Sequence, residues 1–154
     1  QLLSLEIQTM PKQLGLTFAQ TERYPFLSVA TFSTHDMPTM RMWWKENKVN
    51  AQRFYEQVLG HNDEIPEDLP ANIAKEIIKK NLESPSMLCI FSFQDWCAIN
   101  EDIRRVNPDE ERINIPSINP YYWNYRMHLN IEDLLDKNSF NKTIHNLIKD
   151  AKRN

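Results

Sequence analysis

Glycine is scarce in this 154-residue chain, where only Gly15 and Gly60 occur. That is few for a self-contained α/β domain, whose turns use glycine for backbone conformations closed to other residues. The composition therefore leads us to expect part of a larger unit. The chain also opens at Gln1, in the middle of a hydrophobic pattern, with neither an initiator methionine nor a signal-type segment. Metal-ligand spacing is missing: neither the cysteines, Cys89 and Cys97, nor the histidines at 35, 61, 128 and 145 form such a pattern. With no glycine-rich phosphate loop either, no metal and no cofactor is expected. Cys89 lies in an apolar run, so a buried free thiol is expected instead of a disulfide, which fits a reducing, cytoplasmic location. Positive charge is not in excess: 18 Lys and Arg against 21 Asp and Glu leave a net charge of −3. Such a balance gives no electrostatic footprint for nucleic acid or an anionic membrane. The apolar runs are too short to span a bilayer, and no repeat or low-complexity segment interrupts the chain.

What is present centres on residues 24–44, YPFLSVATFSTHDMPTMRMWW. Residues 26–34 are apolar or small and uncharged, as in a strand buried on both faces of a parallel sheet. His35 and Asp36 follow directly, and Pro38 suits the first turn of a helix. This order places the His-Asp pair at the carboxyl end of a strand, the end where α/β folds carry out chemistry. A plainer alternative is that Asp36 caps the helix and His35 is a loop residue.

The same rhythm recurs downstream. Helices are predicted over 39–48, over 50–60 with Gly60 just past the end, and from Pro70 with Ile73, Ala74, Ile77, Ile78 and Leu82 on one face. Trp43 and Trp44 point about 100° apart on a helix, so the expectation is packing and not a shared ligand. Residues 87–93, MLCIFSF, form a second apolar strand ending in Gln94-Asp95, and residues 2–9 form a third candidate. Strand, helices, strand implies a parallel sheet. Asp95 is a candidate site residue with Gln94, or else a helix cap. Residues 98–111 look solvated. The following loop carries Asn114, Tyr121, Tyr122 and Trp123, amide and aromatic groups of the kind that read sugar hydroxyls and stack on pyranose C–H faces. A last helix is expected from Ser139 as its N-cap, burying Phe140, Ile144, Leu147, Ile148 and Ala151. The sequon at 141–143 is read as chance.

Three segments, SVATFSTHDMPTMRMWW, SPSMLCIFSFQDW and RINIPSINPYYWNYRM, resemble in order the 4-α-glucanotransferases (amylomaltases) of glycoside hydrolase family 77, in the α-amylase clan. The resemblance implies that residues 1–154 are the C-terminal portion of a (β/α)8 barrel, about three strands with their helices and no internal boundary. It implies a transition-state-stabilising role for Asp36, and glucan contact for His35, Gln94, Asp95, Asn114 and Trp123. It also implies α-1,4-glucans as partners, together with upstream parts of the same polypeptide, which would carry the nucleophilic aspartate and the acid/base glutamate. Glu6 lies within a strand and Glu67 follows the His-Asp segment, so neither matches that glutamate. The alternatives are a hydrolase of the same clan or a non-catalytic carbohydrate-binding or interaction module.

Overall fold

A computed structural model of the chain describes residues 2–120, 123 and 125–153. Three strands, β1 (Ser4–Ile7), β2 (Ser28–Thr31) and β3 (Leu88–Cys89), lie parallel in one sheet in that order. Leu5 sits beside Val29, and Val29 beside Leu88. Parallel neighbours require crossover connections, and the one from β2 to β3 is helical. It contains α1 (Met40–Glu46), α2 (Lys48–Gln57) and α3 (Ala71–Leu82). A short α4 (Phe93–Cys97) follows β3, and α5 (Asn138–Asp150) comes after a long irregular segment.

The helices cover one face of the sheet. Ala30 and Phe32 from the middle strand and its extension are buried there. Around Phe32 the rings of Phe18, Trp43 and Phe54 meet edge to face, with centroids 5.1–6.3 Å apart. This is the arrangement aromatic quadrupoles favour. The tandem tryptophans divide their tasks as their angular separation predicts. Trp43 packs α1 on the sheet through Phe32, whereas Trp44 packs on Tyr55 and donates its Nε1 hydrogen to the Pro66 carbonyl at 3.1 Å. The second contact fastens the 61–70 loop. The predicted α3 stripe is buried, joined by Asn81. Gly60 adopts φ 80°, which lets the chain turn away from α2 with its N–H returning to the Glu56 carbonyl.

Several local expectations are corrected. The middle strand begins at Ser28, not 26, and Phe26 is largely exposed. The strand expected over 87–93 pairs only through Leu88 and Cys89, because Ser92 accepts a hydrogen bond from the Asp95 N–H and starts α4 at Phe93. Nor is it buried on both faces. Leu88 is 43% and Ile90 58% exposed, and Leu5 on β1 is 46% exposed on the same row of the sheet. Among the described residues the helices lie on the other face, so this apolar side is uncovered. Cys97 is buried and Cys89 only partly so, both as free thiols. The helix predicted over 39–48 breaks at Asn47, whose side chain donates to the Trp43 carbonyl and separates α1 from α2. Ser139 is not the N-cap of α5: the cap position falls two residues earlier, at Lys137, with no side-chain cap. Of its apolar face, Phe140 is fully buried while Ile144, Leu147 and Ala151 pack partly. Among the described residues no helix is long and apolar enough to cross a membrane.

Candidate active site

His35 and Asp36 occupy the loop between β2 and α1, past the carboxyl end of the middle strand. Asp36 does not cap the helix. Thr39 does, its side chain accepting from the Met42 N–H. The Asp36 carboxylate instead turns to the surface, about half exposed, with the equally exposed His35 Nε2 3.2 Å away. Asn114 reaches across from the 112–120 segment and donates its amide to Asp36 at 2.6 Å. The Trp123 ring stands 5.0 Å from the His35 ring at a 43° tilt and is itself 60% exposed. Four residues expected from the sequence thus converge on one surface: an anionic acceptor, an imidazole, an amide and an indole. Such a set accepts and donates hydrogen bonds to hydroxyls and offers an apolar face beside them. Tyr121 and Tyr122, also singled out in the sequence, lie outside the described residues.

Gln94 and Asp95 lie elsewhere. Both belong to the first turn of α4 and are buried, so neither presents an atom to a ligand on this surface. The sequence placed them at a strand end because Phe93 reads equally well as strand or helix. Asp95 accepts from the Ser33 hydroxyl and from the Met40 N–H, each at 2.7 Å. Gln94 donates to the backbone carbonyl of Glu111 at 3.1 Å.

Glu111 was not singled out from the sequence, which placed it in a solvated stretch. Its carboxylate is buried and paired with the equally buried Arg41 at 2.6 Å, and it accepts from the Thr39 hydroxyl at 2.8 Å. Arg41 also donates to the Arg105 carbonyl. Two apolar residues of the same stretch, Ile99 and Ile103, are buried as well. Their four-residue spacing was the available signal for an inward face, masked by the charges between them. The consequence for the site is positional: Glu111 and Gln94 fix the segment that delivers Asn114 to Asp36.

Burial holds the carboxyl groups of Asp95 and Glu111 above the ordinary range. For Asp95 the bonds from Ser33, Met40 and Ser92 oppose that shift, and for Glu111 the Arg41 charge does so first. A carboxyl group raised in the folded state adds stability at low pH, and the addition is lost as pH rises through its folded value. Asp95→Asn removes one such group. The melting temperature of the variant, relative to the parent, should therefore rise between about pH 4 and about pH 8. A difference independent of pH would contradict the elevated value.

A groove of about 710 Å³ between α2 and the 61–70 loop, lined by Val49, Gln52 and Ile65 among others, shares no residue with this cluster. The cluster itself lies on an open surface, as its exposed side chains indicate.

A parallel sheet with a helical crossover and polar groups gathered beyond the carboxyl end of its middle strand defines an α/β protein with a strand-end site. More narrowly, the chain belongs to glycoside hydrolase family 77, the 4-α-glucanotransferases, whose sequence model matches residues 1–131. It is 35% identical over 152 residues to a 4-α-glucanotransferase of rice, Oryza sativa subsp. japonica, covering 99% of this chain and 16% of the relative. A 4-α-glucanotransferase of Chlamydia muridarum is 34% identical over 127 residues, covering 82% of this chain and 24% of the relative. The chain thus spans less than a quarter of the length of these relatives. Among solved structures, an amylomaltase from Streptococcus agalactiae in complex with acarbose superposes with a TM-score of 0.69. At 17% identity, covering 99% of this chain and 28% of that one, it shows likeness of fold.

Proposed function

We propose that this chain is the C-terminal part of the catalytic barrel of a cytoplasmic 4-α-glucanotransferase, and that Asp36 stabilises the transition state of transfer between α-1,4-glucans. The observation that carries this reading is the freedom of the Asp36 carboxylate. It is spared from helix capping by Thr39, held by Asn114 and flanked by His35 and Trp123. Retaining glycosyl transfer proceeds through an oxocarbenium-like transition state between a carboxylate nucleophile and a carboxylic acid. In our reading both of those acids reside upstream in the same polypeptide. Asp36 accepts hydrogen bonds from the hydroxyls beside the reacting carbon. Those bonds strengthen as the ring flattens and gains positive charge, so they favour the transition state over the bound sugar. His35 and Asn114 read the neighbouring hydroxyls, and Trp123 offers a face for a pyranose ring. The uncovered sheet face carrying Leu5, Leu88 and Ile90 supports the partial-barrel reading, because in a closed barrel such residues fill the interior.

Maltotriose disproportionation tests the reading. The longer polypeptide containing this segment should yield glucose together with longer maltooligosaccharides, and the isolated 154 residues should yield neither. Glucose release without longer products would mark a hydrolase. Glucan binding without turnover by the longer polypeptide would mark a binding module. Transfer by the isolated chain, abolished by Asp36→Asn, would show that the nucleophile and acid lie within these residues after all.

A further inference from the structure

The loop carrying His35 and Asp36 is fastened at both ends to one buried side chain. Ser33 stands two residues beyond β2, and Met40 opens α1. The carboxylate of Asp95 takes the Ser33 hydroxyl on Oδ2 and the Met40 N–H on Oδ1, both at 2.7 Å. Asp95 is fully buried, on α4 of the neighbouring β/α unit, and its own N–H is satisfied by the Ser92 hydroxyl. The two bonds therefore close residues 34–39 into a loop whose ends share one rigid planar group.

The loop has little else to fix it at its centre. Within the segment, the Met37 N–H returns to the Thr34 carbonyl, and the Thr31 hydroxyl donates to the Ser33 carbonyl. At its far end Thr39 donates to Glu111. Asp36 itself is held from outside by the exposed Asn114 amide. A half-exposed contact of this kind is weak on its own, whereas a buried charge-assisted pair of bonds is short, strong and geometrically specific.

We infer that Asp95 is a positioning residue for the proposed reaction: it sets where the Asp36 carboxylate stands by clasping both ends of its loop, and it touches no sugar. This rests on the function proposed above, and it replaces the direct glucan contact expected for Asp95 from the sequence. The Met40 N–H is among the first-turn donors that a helix leaves without an internal partner, so the clasp also fixes the start of α1.

The test uses the longer polypeptide. Asp95→Asn keeps the volume and leaves an acceptor for the Met40 N–H, while the Ser33 hydroxyl must reverse its role toward a neutral amide. Displacement of Asp36 should lower kcat for maltotriose transfer by about 10-fold to 10²-fold, with KM changed by less than about threefold. The diagnostic is the cycle with Asp36→Asn. If Asp95 acts through Asp36, Asp95→Asn should cost less than about threefold once Asp36 is already neutral. Equal losses in both backgrounds would overturn the inference, as would unchanged kcat in a folded Asp95→Asn protein. Ser33→Ala, which cuts one bond of the clasp, provides the same cycle if Asp95→Asn does not fold. A readout independent of turnover is the His35 ring signal in NMR, identified by its loss in His35→Gln. It should shift in Asp95→Asn and Ser33→Ala while the His61 signal, paired with Glu76 away from this loop, stays in place. An unmoved His35 signal would refute the positioning role even in a protein that transfers no glucan. A wild-type polypeptide without transfer, in which His35 nonetheless shifts, would refute the proposed function and leave the clasp.

Discussion

Asp36→Asn in the longer polypeptide should lower kcat for glucan transfer by on the order of 10²-fold or more, with little change in thermal stability. The substitution keeps the size of the side chain and removes its charge. Asn114 can still donate to the remaining carbonyl oxygen, and about half of the side chain already faces solvent, so the fold loses little. In the proposed mechanism, what is lost is an anionic acceptor at the place where positive charge develops on the sugar ring. Because that interaction is worth more in the transition state than in the bound ground state, the effect should fall on kcat more than on KM. A near-normal kcat would remove Asp36 from the mechanism. A large KM effect at constant kcat would make it a binding residue only.

The second large effect belongs to stability. Glu111→Ala or Arg41→Ala should destabilise the folded protein by about 3–5 kcal/mol, read as a shift of the denaturation midpoint in urea. Each single change strands a charge that is nearly inaccessible to water. When Glu111 is removed, Arg41 is left beside Arg104, whose own affinity for its proton is already lowered by burial first and then by Arg41. When Arg41 is removed, the Glu111 carboxylate keeps the Thr39 hydroxyl but loses its counter-charge. Replacing both with apolar residues of similar volume, Arg41→Met with Glu111→Leu, should cost far less, since the desolvation of two ions disappears along with their attraction. A single variant as stable as the double one would show that water reaches the pair. Kinetics add a further discrimination: the double variant, though stable, should transfer poorly, because Glu111 anchors the segment that brings Asn114 to Asp36.

The parallel β/α rhythm and the place of the His-Asp pair could be read from the order of residues. Both follow from local chemistry. An uncharged run ending in polar residues and a proline reads as strand, then loop, then helix start, and the structure has that order with shorter strands. The α3 stripe and the role of Gly60 were legible for the same reason, since each depends on residues a few positions apart. The amide and aromatic chemistry of Asn114 and Trp123 was legible, but their approach to Asp36 and His35 was not. Residues 78 positions apart, such as Asn114 and Asp36, meet only when the chain is folded.

The tasks of the remaining acids emerge only in the folded chain. Asp95 and Asp36 both follow an apolar strand and look alike in sequence, yet one is enclosed and the other half exposed. The difference comes from Ser92, which turns the chain into α4 early enough to carry Asp95 beneath the loop it clasps. Glu111 sits among charged neighbours that do face water, and its inward turn is set by Arg41, 70 residues away. A charge reads as surface in a linear sequence because burial without a partner is costly, and the partner becomes visible only in three dimensions.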